Sequence, residues 1–198
     1  MRDFQLKLIS SRDILYQYPC INPLSGYLKE KEIWVLNAIP AHEDMLIKIK
    51  ALGGEVKVYD HYEYIHDTRQ PSGGIILPPS FSREDNTVDA YYGIMDYYIK
   101  FSQMMVHKMS GLDRNSPFRH LLLVLPFGSS QCSSMLGGMA YYAMTGLVAG
   151  LGKMYGNKGL FCAGLELGEN TSHELVSEWI SYLMSDNSNN TIGELIKL

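Results

Sequence analysis

Short, mostly unbroken apolar runs alternate with helix-patterned segments along nearly the whole chain, and this alternation most limits what the chain can fold into. Ile33-Trp34-Val35-Leu36, opened by Glu32 and closed by Asn37, has the length and composition of a buried strand. Met45, Leu46, Ile49 and Leu52 then fall on one helical face within Ala41–Leu52, and Gly53-Gly54 supplies the stop. Val56–Tyr59 and Gly74–Leu77 read as the next strands, the latter cut off by Pro78-Pro79. Val88, Tyr92, Met95, Ile99, Gln103 and Val106 share one stripe of a long helix over Val88–Met109. Leu121–Leu125 is the most apolar strand, and a second long helix covers Gly138–Tyr155. A strand at Gly159–Ala163, a helix at His173–Met184 and a closing strand at Thr191–Lys197 complete the pattern. Strands that are apolar throughout, each followed by a helix, predict an α/β fold with a doubly wound parallel sheet covered on both faces. The 198 residues suit one domain over 31–198, preceded by an aperiodic extension or arm over 1–30.

Composition excludes several classes of function. Seventeen Lys and Arg against twenty-one Asp and Glu give a net charge of −4, with no basic run. Neither a nucleic acid nor an anionic membrane is expected as partner, since both need clustered cations. No apolar stretch approaches the roughly 20 residues of a membrane span, and the charged start, MRDFQLKLISSRD, lacks an export signal's apolar core. Cys20, Cys132 and Cys162 are odd in number and lack metal-like spacing, as expected of reduced thiols in the cytoplasm. His61, Glu63, His66 and Asp67 lie close together, but in a polar loop without a second cluster, so they read as solvated surface and no metal is predicted. Gly128-Ser-Ser lacks the Gly-x-Ser-x-Gly frame of a hydrolase elbow, and Cys132 has no adjacent base to activate it.

Three passages in the second half carry a resemblance. They are Tyr141-Tyr-Ala-Met-Thr-Gly-Leu-Val-Ala-Gly-Leu-Gly-Lys153, Asn157-Lys-Gly-Leu-Phe-Cys-Ala-Gly-Leu-Glu-Leu-Gly168 and Leu183-Met-Ser-Asp-Asn-Ser-Asn-Asn-Thr-Ile-Gly-Glu194. Together with the opening strand they resemble the short-chain dehydrogenases/reductases from about Leu28 onward. The resemblance implies a Rossmann-like sheet of that family's type, shortened in the first half. Only about fifteen polar residues separate Asp60 from Gly74, where the family places another helix and strand.

The resemblance also implies chemistry that this sequence does not carry. The family's glycine-rich turn lets backbone amides meet a dinucleotide pyrophosphate. Here the glycine positions fall on Ala38, His42 and Asp44, within Asn37-Ala-Ile-Pro-Ala-His-Glu-Asp44. Glu43 and Asp44 stabilise a helix start but repel a phosphate there. The catalytic Tyr falls on Tyr141, and the Lys that lowers its pKa falls on Thr145, a neutral hydroxyl. The Ser falls at Gly128, with Ser129 one residue away as a weak candidate. No cofactor and no catalytic residue are therefore expected, with Tyr141 a remnant.

The family pairs its two long helices with those of a second subunit. Here they are rich in Tyr and Met, residues favoured at interface centres. The expected interface comprises Tyr92, Met95, Ile99, Gln103, Tyr141, Met144 and Val148. The leading expectation is a non-catalytic subunit that supports an active paralogue in a heterodimer or heterotetramer, the resemblance pointing to a 3-oxoacyl-thioester reductase; self-association stays open. Two alternatives stand beside it: a divergent NAD(P)H-dependent ketoreductase using Tyr141, and a small-molecule-binding module in the vacated cleft.

Overall fold

The computed structural model describes residues 28–38, 42–60, 65, 69–79, 87–109, 119–125, 135–168, 171–185, 188 and 192–198. Among them, the strands are β1 Glu32–Leu36, β2 Glu55–Tyr59, β3 Gly73–Ile76, β4 Arg119–Val124, β5 Leu160–Glu166 and β6 Glu194–Lys197. They form one six-stranded sheet in the order β2-β1-β3-β4-β5-β6, parallel throughout. The helices are α1 Glu43–Ala51, α2 Val88–Met109, α3 Met135–Tyr155 and α4 His173–Leu183. The expected doubly wound fold is thus present, and β2 is an edge strand among the described residues, as a shortened first half requires.

Side-chain alternation along the strands divides the apolar residues between two cores. Trp34 and Leu36 of β1, Leu121 and Leu123 of β4, and Cys162 of β5 face α2 and α3. Ile33, Val35, Leu122, Val124 and Leu165 face α1 and α4. A strand with period two and no polar face can be buried only this way, with helices on both sides. Burying each Leu- or Ile-sized side chain stabilises by roughly 1.5–3 kcal/mol, so the doubly covered strands β3 to β5 carry much of the stability.

Local signals set most of the boundaries. Gly53 ends α1 at φ 93°, its N–H donating to the Lys50 carbonyl at 2.9 Å while that of Gly54 donates to Ile49 at 3.0 Å. This paired closure needs a left-handed residue, which glycine supplies without strain. Several boundaries differ from the sequence reading by one to three residues; α3 begins at Met135 rather than Gly138, and β6 at Glu194 rather than Thr191. Strand β5 runs on from Ala163 to Glu166, because Gly164, Leu165 and Glu166 continue the pairing, with Leu165 and Glu166 opposite Ile196 and Lys197. Leu28, assigned to the arm, is fully buried in the α1/α4 core and donates its N–H to the Leu52 carbonyl at 2.9 Å. The domain therefore includes residue 28.

Helix α3 packs closely on the turn that enters β6. A Cβ on Gly152 would fall against the Cα and N of Gly193, which itself sits at φ 71° and donates its N–H to the Cys162 carbonyl at 2.7 Å. One turn-mate, Gly150, has open space around it. Gly152→Ala should therefore destabilise by about 1–3 kcal/mol through overpacking. Gly150→Ala should stabilise by roughly 0.5–1 kcal/mol through helix propensity. Urea unfolding of the two variants measures this opposition; equal effects would remove the close approach.

Candidate functional site

In open α/β sheets, ligands bind beyond the carboxyl ends of the strands, where the winding reverses. Here that point lies between β1 and β3. Asn37, in the left-handed region at φ 61°, closes β1 by donating its side-chain amide to the Pro78 carbonyl at 2.7 Å. From α2, Tyr97 donates its hydroxyl to the Leu77 carbonyl at 3.1 Å, and Tyr98 donates to Val124. The chain's own side chains thus bind backbone carbonyls beyond β3 and at the end of β4. Burial holds both phenols well above their ordinary pKa, and the neighbouring Tyr97 adds to the rise at Tyr98.

The residues at the expected glycine positions lie where the sequence places them, around the start of α1. Ala38 is half-buried beside Asn37, His42 immediately precedes the helix, and Asp44 is exposed in its first turn together with Glu43. His42 and Asp44 line a cleft of about 120 Å³ with Leu77, Gly168, Thr171 and Ser177. Typical small-molecule sites occupy roughly 300–1,000 Å³.

Tyr141 occupies a different position, on the α2/α3 side of the sheet. It is buried on the second turn of α3 and donates its hydroxyl to Oε2 of Glu166 at 2.7 Å. Lys197 pairs with the same oxygen at 3.2 Å, and its Nζ stands 5.5 Å from the Tyr141 ring centroid. Burial raises the phenol's pKa; the hydrogen bond to Glu166 raises it further, and Lys197 works in the opposite direction. Burial alone would lower the Lys197 pKa, but bonding to Tyr141 and Glu166 carries it above the ordinary value. Thr145, one turn along, donates its hydroxyl to the Tyr142 carbonyl at 2.9 Å, a local bond within its own helix.

Sequence reasoning missed Glu166 and Lys197. The available signal was a single carboxylate inside the otherwise apolar run from Gly159 to Gly168. Ser129, Cys132 and the His61–Asp67 cluster lie outside the described residues. Cys162 is buried, and desolvation raises its thiol pKa well above the ordinary value. Among the described residues, no group of three or more His, Cys, Asp or Glu is placed to hold a metal ion, and no helix is long and apolar enough to cross a membrane.

The expected interface set divides. On α2, Tyr92, Ile99 and Gln103 are exposed and Met95 is half-buried. On α3, Tyr141, Met144 and Val148 face inward, with Met144 fully buried against the chain's own sheet. Those three are corrected to core: their three- and four-residue spacing follows the stripe that covers β4 and β5. The outward stripe of α3 is Met135, Met139, Tyr142, Gly146 and Ala149, with Met135, Met139 and Tyr142 exposed by 79%, 62% and 74%.

No protein-family model matches the sequence, and no curated protein matches it in sequence. Solved structures do match in fold. A short-chain dehydrogenase from Shigella flexneri superimposes with a TM-score of 0.67 at 12% identity, covering 88% of this chain and 93% of that one. An Escherichia coli oxidoreductase, yciK, matches with a TM-score of 0.64 at 12% identity, covering 89% and 98%. Another Shigella flexneri short-chain dehydrogenase, complexed with NADP, matches with a TM-score of 0.64 at 11% identity, covering 88% and 99%. The fold is that of the short-chain dehydrogenases/reductases.

The two buried phenols on α2 predict an alkaline limit to stability. Their folded pKa values lie above the unfolded value near 10, so the folded chain keeps protons that the unfolded chain releases. The stabilisation is complete below about pH 10 and falls as pH rises, by up to about 1.4 kcal/mol per pH unit for each phenol. Tyr98→Phe should flatten this fall in urea unfolding between pH 9 and pH 11, at about 1–3 kcal/mol lower stability at pH 7. An unchanged alkaline slope would contradict the burial.

Proposed function

We propose that the chain is a non-catalytic subunit with the short-chain dehydrogenase/reductase fold, which pairs through α2 and α3 with a complete, active relative and supports its working shape in the cytoplasm. The outward face of α3 carries this reading. Over 21 residues that helix has one charge, Lys153, and it presents Met and Tyr at one end of its outer stripe and Gly146 and Ala149 at the other. Its inner stripe already fills the core. A helix apolar on both sides implies a second partner, and the small residues allow a neighbouring helix to approach closely. Exposed Tyr92, Val88 and Ile99 extend the apolar surface onto α2.

Three features support the absence of chemistry. Two acids stand at the start of α1, Thr145 occupies the position expected for Lys, and the Tyr141 proton is directed at the protein's own carboxylate. Docking of a phosphate at that helix start would meet Glu43 and Asp44 rather than a bare nest of amides. The 3-oxoacyl-thioester reductases are the leading class for the active relative, by resemblance.

One observation favours the divergent ketoreductase. Lys197 brings an ammonium close to Tyr141 from another strand, and a positive charge there lowers a phenol pKa. Burial and Glu166 act against it, and the net direction is upward.

Co-expression with a complete reductase encoded beside this chain tests the pairing. A complex should survive size-exclusion chromatography, and the reductase should turn over faster in it than alone. Replacing both Met139 and Tyr142 with Arg should abolish the complex and leave the fold of this chain intact. A relative fully active alone and recovered without this chain would overturn the reading; saturable micromolar NADPH binding by this chain would favour the ketoreductase.

A further inference from the structure

The Tyr141–Glu166–Lys197 cluster unites three elements far apart in sequence. Glu166 ends β5, Lys197 ends β6, and the two are register partners in the sheet. Tyr141 reaches them from the second turn of α3. The Glu166 side chain is 7% exposed, and its Oε2 receives both the phenol hydroxyl and the Lys197 ammonium. A carboxylate this deep is costly unless paired and hydrogen-bonded, and both of these partners offset that cost. A phenol has one proton to donate. Here that proton is directed at Oε2, and none is left to give to a substrate oxygen. The Tyr141 ring also packs edge-on against Tyr142, at 5.6 Å between centroids, and Tyr142 lies on the outer stripe of α3.

We propose that Glu166 and Lys197 are positioning residues that hold Tyr141 as a fixed hydrogen-bond donor, a buried latch that ties α3 to β5 and β6 and withdraws the phenol from chemistry. The latch concerns the catalytic half of the reading above and is independent of whether α2 and α3 find a partner. Glu166 from β5 and Lys197 from β6 are the charged groups acting on the phenol among the described residues, and α3 contributes none at this point. Their effects oppose one another. The carboxylate favours the protonated phenol, the ammonium favours the phenolate, and with burial the protonated form prevails.

Carbon-13 NMR of the full chain, labelled at tyrosine Cζ and assigned with Tyr141→Phe, tests this. The Tyr141 resonance should keep its protonated shift through and beyond pH 10, the ordinary tyrosine value. Glu166→Gln keeps an acceptor but removes the charge, and should move the Tyr141 midpoint to lower pH. Lys197→Gln should move it further from reach, to higher pH. If Glu166→Gln does not fold, the wild-type spectrum in mixed light and heavy water decides. A latched hydroxyl exchanges slowly and gives two resolved Tyr141 lines, whereas a free one gives a single averaged line. A Tyr141 midpoint at the ordinary tyrosine value, a Glu166→Gln midpoint that does not fall, or an averaged line would each overturn the latch.

Discussion

Strands β3, β4 and β5 have no face toward water, so successive residues must satisfy two cores at once. Ile75 and Ile76, Leu121 and Leu122, Leu123 and Val124 each divide between the two sides. Helices must then cover both faces, α1 with α4 and α2 with α3, and every strand lies parallel to its neighbour. The site follows from the same constraint. All carboxyl ends gather on one side, and α2 and α3 can reach them from one face only. Tyr97, Tyr98 and Tyr141 therefore meet the ends of β3, β4 and β5 from the α2/α3 core, whereas His42 and Asp44 meet the cleft from the opposite face.

Much of the fold was legible because buried strands and amphipathic helices leave periodic traces. Helix α2 spans Val88–Met109 as expected, but most of the stripe that marked it faces outward. Val88, Tyr92, Ile99 and Gln103 are exposed, and Ile94, Tyr98, Phe101 and Met105 face the core. Gly53-Gly54 marks the end of α1. The end of β5 was harder to read. Glu166 looks like a polar exit from a strand, and only its partners across α3 and β6 show why a charge remains inside. The orientation of α3 was not legible at all. Met139 and Tyr142 are the same residue types as Met144 and Tyr141, so hydropathy does not decide which pair faces the sheet. The fold decides it, since the inward stripe is the one that lands on β4 and β5.

The candidate site was half legible for a related reason. The residues at the expected glycine positions are contiguous in sequence, and their acids are visible at the start of α1. Lys197 is distant from Tyr141 in sequence and approaches it only through the pairing of β5 with β6. An ammonium missing from α3 at Thr145 is thus matched by one on a strand, but beside a carboxylate that accepts the phenol's hydrogen bond. The same kinds of groups, rearranged, favour a fixed donor over a reactive acid.

The proposed pairing would put the working surface on the outer face of α2 and α3 and leave the cleft beside α1 without a reactive role. Hydrogen–deuterium exchange of the chain, alone and with a complete reductase encoded beside it, separates these two surfaces most directly. The account predicts slowed exchange in peptides from α2 and α3 when the reductase is added, and unchanged exchange around His42, Asp44 and Thr171 when NADPH is added. Protection around the cleft with NADPH, and none on the two helices with the reductase, would contradict it.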